Sequence, residues 1–330
     1  MIPFILRKTL SQSNFHSYLQ EANKTNQFTN GGWAVQELER RARDMLKIDD
    51  DKAVIATSSG TAALHAMLWA IQRQDGAQRI GTQDFTFASN SLGPAGGPIV
   101  TDMRDDFNLN LDDEFIQMSK ILIVTNIFGH LQDFNYISQY NFPYIIFDNA
   151  ATPYSFWEGT NSCNLGTGSY ISLHHTKPLG FGEGGLAIID KKYEEQVRIA
   201  CNFGIVEGKF NERSGNYKMS DISAAAILQW WDQFELEDLK EKYLDNYYKV
   251  LYELREEEGT AWQHYGDEEN FFPSCLPYIH QTSIRIEDNT TDYEARKYYY
   301  PLREFTISNQ LYDRILCYAL TEGIEECLKK

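Results

Sequence analysis

Hydrophobic positions in this chain alternate between two spacings. Val35, Leu38, Ala42 and Leu46 recur at helical intervals, which predicts an amphipathic helix ending near Leu46, after a polar helical stretch over residues 9–24. Ala53-Val-Ile-Ala56 is instead a short continuous apolar run of strand type. It leads through Thr57-Ser-Ser-Gly-Thr61 into the helical pattern Ala62-Ala-Leu-His-Ala-Met-Leu-Trp-Ala70. Further strands are predicted at Pro98–Thr101, Ile121–Thr125, Tyr144–Phe147 and Leu186–Ile189. Those at 121–125 and 144–147 are apolar throughout, as strands buried on both faces of a parallel sheet are. Helices follow over Tyr193–Ile199 and, capped by Ser220, from Asp221 through Gln229. From about Trp230 the composition changes. A charged, tyrosine-rich helix (Phe234–Glu258), strands around Gln281–Ile286 and a last helix near 308–328 are predicted there. Tyr298, Tyr299 and Tyr300 are expected to serve packing. The pattern predicts a large α/β domain over residues 1–229 and a smaller α+β domain over 230–330.

Composition narrows what such a protein does. The 330 residues include 47 acidic against 30 basic side chains, a formal charge of -17. That surface repels phosphate backbones and excludes nucleic-acid binding as the main function, while a small anion needs only a local positive site. Five scattered cysteines (Cys163, Cys201, Cys275, Cys317, Cys327) have neither CxxC pairing nor metal-ligand spacing, so no metal is expected and reduced thiols in a cytoplasmic protein are. Met1-Ile-Pro-Phe-Ile-Leu-Arg is too short an apolar run for a signal peptide, and no stretch is long enough to span a bilayer.

Three places carry candidate chemistry. The first is Ser172-Leu-His-His-Thr-Lys177-Pro-Leu-Gly-Phe-Gly-Glu-Gly-Gly185. Its glycines precede a strand rather than open a helix, so the dinucleotide fingerprint does not apply. A lysine on a glycine-shaped loop is a candidate for an imine with an aldehyde cofactor. The second is the helix start at Gly60-Thr61, where unpaired N–H groups and the helix dipole favour an anion. It lacks the Gly-Lys-Ser/Thr ending that would imply a nucleoside triphosphate. The third is Asp148, at the C-terminal end of a predicted parallel strand, where such sheets bind ligands. Each feature alone also has a common structural explanation: a surface lysine, a capped helix, a loop-capping aspartate.

Taken in order, the segments resemble the DegT/DnrJ/EryC1/StrS sugar aminotransferases, pyridoxal-phosphate enzymes of the aspartate aminotransferase fold. The resemblance spans roughly residues 25–230 and returns at Tyr299-Tyr-Pro-Leu302. Phe28-Thr-Asn-Gly-Gly32 with Val35-Gln-Glu-Leu-Glu39 is similar to the family's first loop and helix, and Thr57-Ser-Ser-Gly-Thr-Ala-Ala-Leu64 to its cofactor-phosphate turn. The resemblance implies a three-layer α/β/α large domain with a mostly parallel sheet. It also implies phosphate contacts from Gly60, Thr61 and Ser172, a stacking ring from Phe87, a ring-nitrogen partner in Asp148 and the imine amine in Lys177. Asn216, in Asn216-Tyr-Lys-Met-Ser220, is implied on the phosphate of a partner subunit's site, hence a homodimer. The implied reaction moves an amino group from L-glutamate to a nucleotide-linked keto-sugar, and the Lys177–Glu183 spacing is more similar to members acting at C4 than at C3.

The chain also departs from the family pattern. Ala151 stands where Gln or His is usual, Asn149 occupies a usually small position, and Lys218 and Ser223 replace arginine and glutamine. Residues 255–298 are shorter than in the family, which suggests an unusual or smaller acceptor. A sugar dehydratase would carry histidine in place of Lys177, and His174 and His175 keep a dehydratase in view. The pattern also admits a transaminase acting on a smaller non-nucleotide acceptor, or a non-catalytic scaffold.

Overall fold

The apolar runs at 121–125 and 144–147 become neighbouring parallel strands, Ile121–Thr125 and Tyr144–Asp148, with Thr125 in register with Asp148. Strands Ile80–Gln83 and Ile99–Thr101 extend the parallel array in the order 99–101, 80–83, 121–125, 144–148. Burial of Ile121, Leu122, Ile123 and Val124 on both faces removes the need for polar alternation and accounts for the continuous run. The α/β class with a mostly parallel sheet is therefore as the sequence predicts. This computed structural model describes every residue except Ala77, Gln78, Glu212, Glu304 and Lys330.

The chain packs as two units, each assembled from separate stretches. The first unites Met1–Leu6, Arg79–Ser162 and Glu237–Cys327, and the second Arg7–Gln78, Cys163–Leu236 and Leu328–Lys330. Residues 229 and 230, where composition changes, lie inside the helix Asp221–Trp231 of the second unit.

Besides the parallel strands, the first unit holds an antiparallel sheet in the order Gly259–Ala261, Leu276–His280, Ile315–Tyr318, Ala295–Arg296. Two expectations are corrected here. The strand lies at Leu276–His280, before Gln281–Ile286, because the buried positions end at His280 and exposed Gln281, Thr282 and Ser283 follow. The last helix spans only Thr306–Arg314; Ile315-Leu-Cys-Tyr318 is a fully buried strand whose apolar run suits the sheet's centre. Tyr299 is buried against Phe128 at 4.7 Å between ring centroids, as packing requires, whereas Tyr300 is exposed.

The second unit holds an antiparallel trio, Lys52–Thr57, Gly185–Asp190 and Gly168–Ser172, with Gly185–Asp190 in the middle. Helices Trp33–Met45, Gly60–Asp75, Glu194–Cys201 and Asp221–Trp231 accompany it. The polar stretch at 9–24 forms two short helices, Gln12–Tyr18 and Gln20–Thr25, and not one. Ser220 caps its helix as expected, its Oγ accepting from the Ser223 N–H at 3.1 Å. Asp221 lends its own carboxylate to another helix start, accepting from the Ala34 and Val35 N–H groups at 2.8 and 3.3 Å. No helix among the described residues is long and apolar enough to cross a membrane.

Candidate active site

In the first unit the site is built around Asp148, which ends its strand with only 1% of its surface exposed. A carboxylate accepts hydrogen bonds and donates none, so a buried one needs donors around it. Three are present. The Ala150 N–H donates to Oδ1 at 3.1 Å, Asn90 Nδ2 to Oδ2 at 3.2 Å and Thr125 Oγ1 to Oδ2 at 3.4 Å. Asn90 also donates to Thr86 Oγ1 (2.8 Å) and Thr125 Oγ1 (3.0 Å), and the two threonine hydroxyls lie 2.5 Å apart. Asn90 and Thr125 are not marked by any motif in the sequence. The only signal for them is position: Thr125 ends the strand beside Asp148, and Asn90 follows the Thr86-Phe87 pair. Phe87, next to the strand pairing of Thr86 with Tyr300, is 44% exposed. Tyr299 lies near Asp148, and burial first, then the Asp148 charge, raises its phenol well above the usual range. Asn149 is fully buried, and its Oδ1 accepts from Asn126 Nδ2 at 2.7 Å, which holds that carboxamide inside the unit.

In the second unit the helix Gly60–Asp75 begins beside Ser172. Ser59 Oγ caps it by accepting from the Ala62 N–H at 3.1 Å, and Thr57 Oγ1 donates to the Ser59 carbonyl at 2.9 Å. A Cβ on Gly60 would sit 3.2 Å from Ser172 Cβ, and one on Gly185 would collide with the Ser59 and Gly60 backbone. Those glycines let the strand ends bring Ser172 against the helix start, with Thr61 half-exposed there. Gly60, Thr61 and Ser172 thus lie together at the positive end of a 16-residue helix.

Lys177 sits on a tight turn. Its N–H donates to the His174 carbonyl at 2.9 Å, and its carbonyl accepts from the Gly180 N–H at 3.0 Å. A side chain at 180 would collide with the His174 carbonyl, so glycine is required. Burial pulls the His175 imidazole below its usual range, helped by neighbouring Lys8 and His174. His174 is engaged locally, with Nδ1 2.9 Å from Thr176 Oγ1 and Nε2 3.4 Å from Glu183. Asn216 is exposed and bridges to Asn202, and the following residue's carbonyl accepts from the Ser58 N–H, in the turn before the helix Gly60–Asp75, at 2.8 Å.

Each unit by itself carries groups of the kind pyridoxal phosphate takes: a hydrogen-bonded buried carboxylate and an exposed phenylalanine in the first, a hydroxyl-lined helix start and a lysine in the second. Among the described residues no cluster of His, Cys, Asp and Glu could hold a metal ion.

Comparison with known proteins places this geometry. The sequence model of the DegT/DnrJ/EryC1/StrS aminotransferase family matches residues 10–321. DesI, solved in the presence of its TDP-sugar product, superposes with a TM-score of 0.74 at 19% identity, over 98% of this chain and 88% of that one. The PMP form of Spr1654 from Streptococcus pneumoniae, described as a sugar aminotransferase, gives 0.77 at 16% identity, over 97% and 94%. 3-Amino-5-hydroxybenzoic acid synthase gives 0.78 at 14% identity, over 99% and 96%.

Proposed function

The chain belongs to the DegT/DnrJ/EryC1/StrS aminotransferase family, and from that premise we propose that this pyridoxal-phosphate-dependent aminotransferase aminates a nucleotide-linked keto-deoxysugar, a 4-keto-6-deoxyhexose, with L-glutamate as donor. One observation supports the proposed site most strongly. Asp148 is a buried carboxylate held by three donors at the end of a parallel strand. A fixed negative charge of that kind suits a protonated ring nitrogen.

When bound, pyridoxal phosphate supplies an aldehyde for amines and an electron sink for the pair left on the donor's Cα. The residues divide the remaining work. Thr61, Ser172 and the N–H groups opening the helix at Gly60 bind the phosphate dianion. Phe87 covers one face of the ring. Asp148 holds the positive charge at the ring nitrogen. Lys177 Nζ would hold the cofactor through its aldehyde carbon and, when freed, would carry the proton taken from the donor's Cα. With the keto-sugar, the same amine moves the proton the other way. Asn216 reaches the phosphate of a second subunit, so the working form is a homodimer with shared sites, in the cytoplasm.

A second reading takes a smaller acceptor without a nucleotide. It is favoured by the shortened 255–298 segment and by the similarity to 3-amino-5-hydroxybenzoic acid synthase.

The test has two arms. Borohydride reduction followed by peptide mass analysis is expected to leave the cofactor on Lys177. A panel of dTDP-, UDP- and GDP-linked keto-sugars with glutamate is expected to release one 2-oxoglutarate per amino-sugar. A tag on another lysine overturns the site. Turnover only with small keto acceptors selects the second reading, and water release without 2-oxoglutarate selects a dehydratase. A monomer with full activity on a sizing column overturns the shared site.

A further inference from the structure

Lys8 lies between the apolar N-terminal run and the polar stretch at 9–24, a place where a lysine is ordinarily solvated. Here its ammonium is the enclosed end of a half-buried residue. Nζ donates to the carbonyl oxygens of His175 at 2.9 Å, Lys177 at 2.5 Å and Gly180 at 2.5 Å. It also lies 5.2 Å from the centroid of the Trp230 ring. A lysine ammonium has three N–H donors and no acceptor, so these carbonyls saturate it. The two carbonyls between 177 and 180 are taken by neighbouring indoles. Trp230 Nε1 donates to the Pro178 carbonyl at 3.0 Å and Trp231 Nε1 to the Leu179 carbonyl at 2.8 Å. The stretch of chain bearing Lys8 is itself fastened to the helix Asp221–Trp231 and to the turn that follows it, since the Ser11 N–H donates to Gln229 Oε1 at 2.8 Å and Gln233 Nε2 to the Thr9 carbonyl at 3.2 Å.

We propose that Lys8 is a positioning residue: a tethered cation seated in a ring of carbonyl dipoles, which fixes the main chain of the Lys177 turn. The proposal rests on the reading of Lys177 as the cofactor lysine. It assigns to the N-terminal segment a role in the reaction that the segment's distance in sequence conceals. The clasp acts on the main chain at 177, through the Lys177 carbonyl itself. Burial alone pulls Lys8 down to about 7, and the three acceptors favour its charged form against that cost. Arginine is no substitute, because its planar fork does not match three converging carbonyls.

The test compares full-length wild type, Lys8→Met and Lys8→Ala by hydrogen exchange of peptides covering residues 173–182. The chains are first stripped of cofactor, so the readout does not depend on turnover. Loss of a charge-assisted hydrogen-bond set predicts about tenfold lower protection in that turn in both variants. Methylammonium is expected to restore protection and turnover in Lys8→Ala, where it refills the carbonyl ring. In the loaded enzyme kcat is expected to fall about tenfold with the donor KM within about twofold, because the turn acts on the proton-carrying step and not on donor binding. Unchanged exchange over 173–182 in Lys8→Met overturns the proposal. So does loss of protection spread evenly through the chain with no response to methylammonium. If either variant fails to fold, Lys8→Gln, which keeps two neutral donors, is measured instead: a partial loss of protection confined to 173–182 supports the proposal, and loss spread evenly through the chain overturns it. The borohydride tag separates the premises. A tag at Lys177 with unchanged exchange sinks the clasp alone, and a tag elsewhere with Lys8-dependent exchange sinks the cofactor reading alone.

Discussion

The two units hold their functional groups by opposite means. In the first, Asp148 is fixed by side chains, Asn90 and Thr125, that arrive from other strands and loops. In the second, the helix start beside Ser172 and the Lys177 turn are fixed mainly through the backbone. Close approaches at Gly60 and Gly185, the helix start and a set of carbonyls clasped by Lys8, Trp230 and Trp231 do that work. The contrast follows from the chemistry assigned to each group. A carboxylate that stabilises a ring charge serves best when immobile in a low-dielectric site, where donors must surround it. A lysine that exchanges partners and carries protons needs a rigid base and a mobile tip.

Substitutions that break this contrast should rank accordingly. The largest effect is expected for Lys177→Ala, which removes the amine itself. Turnover should drop by about 10³-fold or more while the circular dichroism spectrum is retained, and undiminished turnover would refute the assignment. Asp148→Asn keeps the shape and removes the charge, so kcat should fall about 10²-fold with the fold intact; rates within about threefold of wild type would show that the charge is not used. Thr125→Val removes one hydrogen-bond donor from Asp148. A loss of about three- to tenfold in kcat is expected, with donor KM nearly unchanged, whereas a loss confined to KM would point to substrate binding.

The smallest effect is on stability. Burial, reinforced by Asp102 and opposed by hydrogen bonds that include the Arg303 N–H, raises the Asp84 carboxyl to about 6. Because its pKa is higher in the folded chain than in the unfolded one, the folded chain binds more protons between about pH 4 and pH 6. Its stability therefore falls as pH rises through that window, and the cost stays constant above it. Asp84→Asn keeps an oxygen acceptor and removes the titration. Relative to wild type it should gain about 2 kcal/mol between pH 4 and pH 7 in denaturant unfolding, and a pH-independent difference would contradict the shift. Lys8 shows the mirror image. Its pKa is lowered on folding, so its contribution to stability rises with pH from about 7 toward the unfolded value. Each unit thus keeps a group whose charge burial makes costly to retain.

Much of this architecture was legible in residue order. The apolar runs at 53–56, 121–125, 144–147 and 186–189 are strands, and the Ser220 cap and the helix after Gly60 lie where local signals put them. Lys177, Ser172, Gly60, Thr61 and Asp148 could be singled out because a small-residue turn, a glycine cluster or a strand end marks each one locally. The segments after residue 255 were less legible. There short strands and a short helix follow one another with few turn signals, and burial against distant strands decides between the two states.

By itself the sequence determined where backbone hydrogen bonds are satisfied locally, and so which runs are strands, which turns must be glycine and which polar residues stand at strand and helix ends. Only the tertiary structure decided who holds those residues. Asn90 meets Asp148 across 58 positions and Lys8 meets the Lys177 carbonyl across 169, and neither pairing leaves a trace in local spacing. The physical reason is that periodicity records burial, a property of one residue and its neighbours in sequence. Satisfying a buried charge requires donors or acceptors that converge in space from anywhere along the chain.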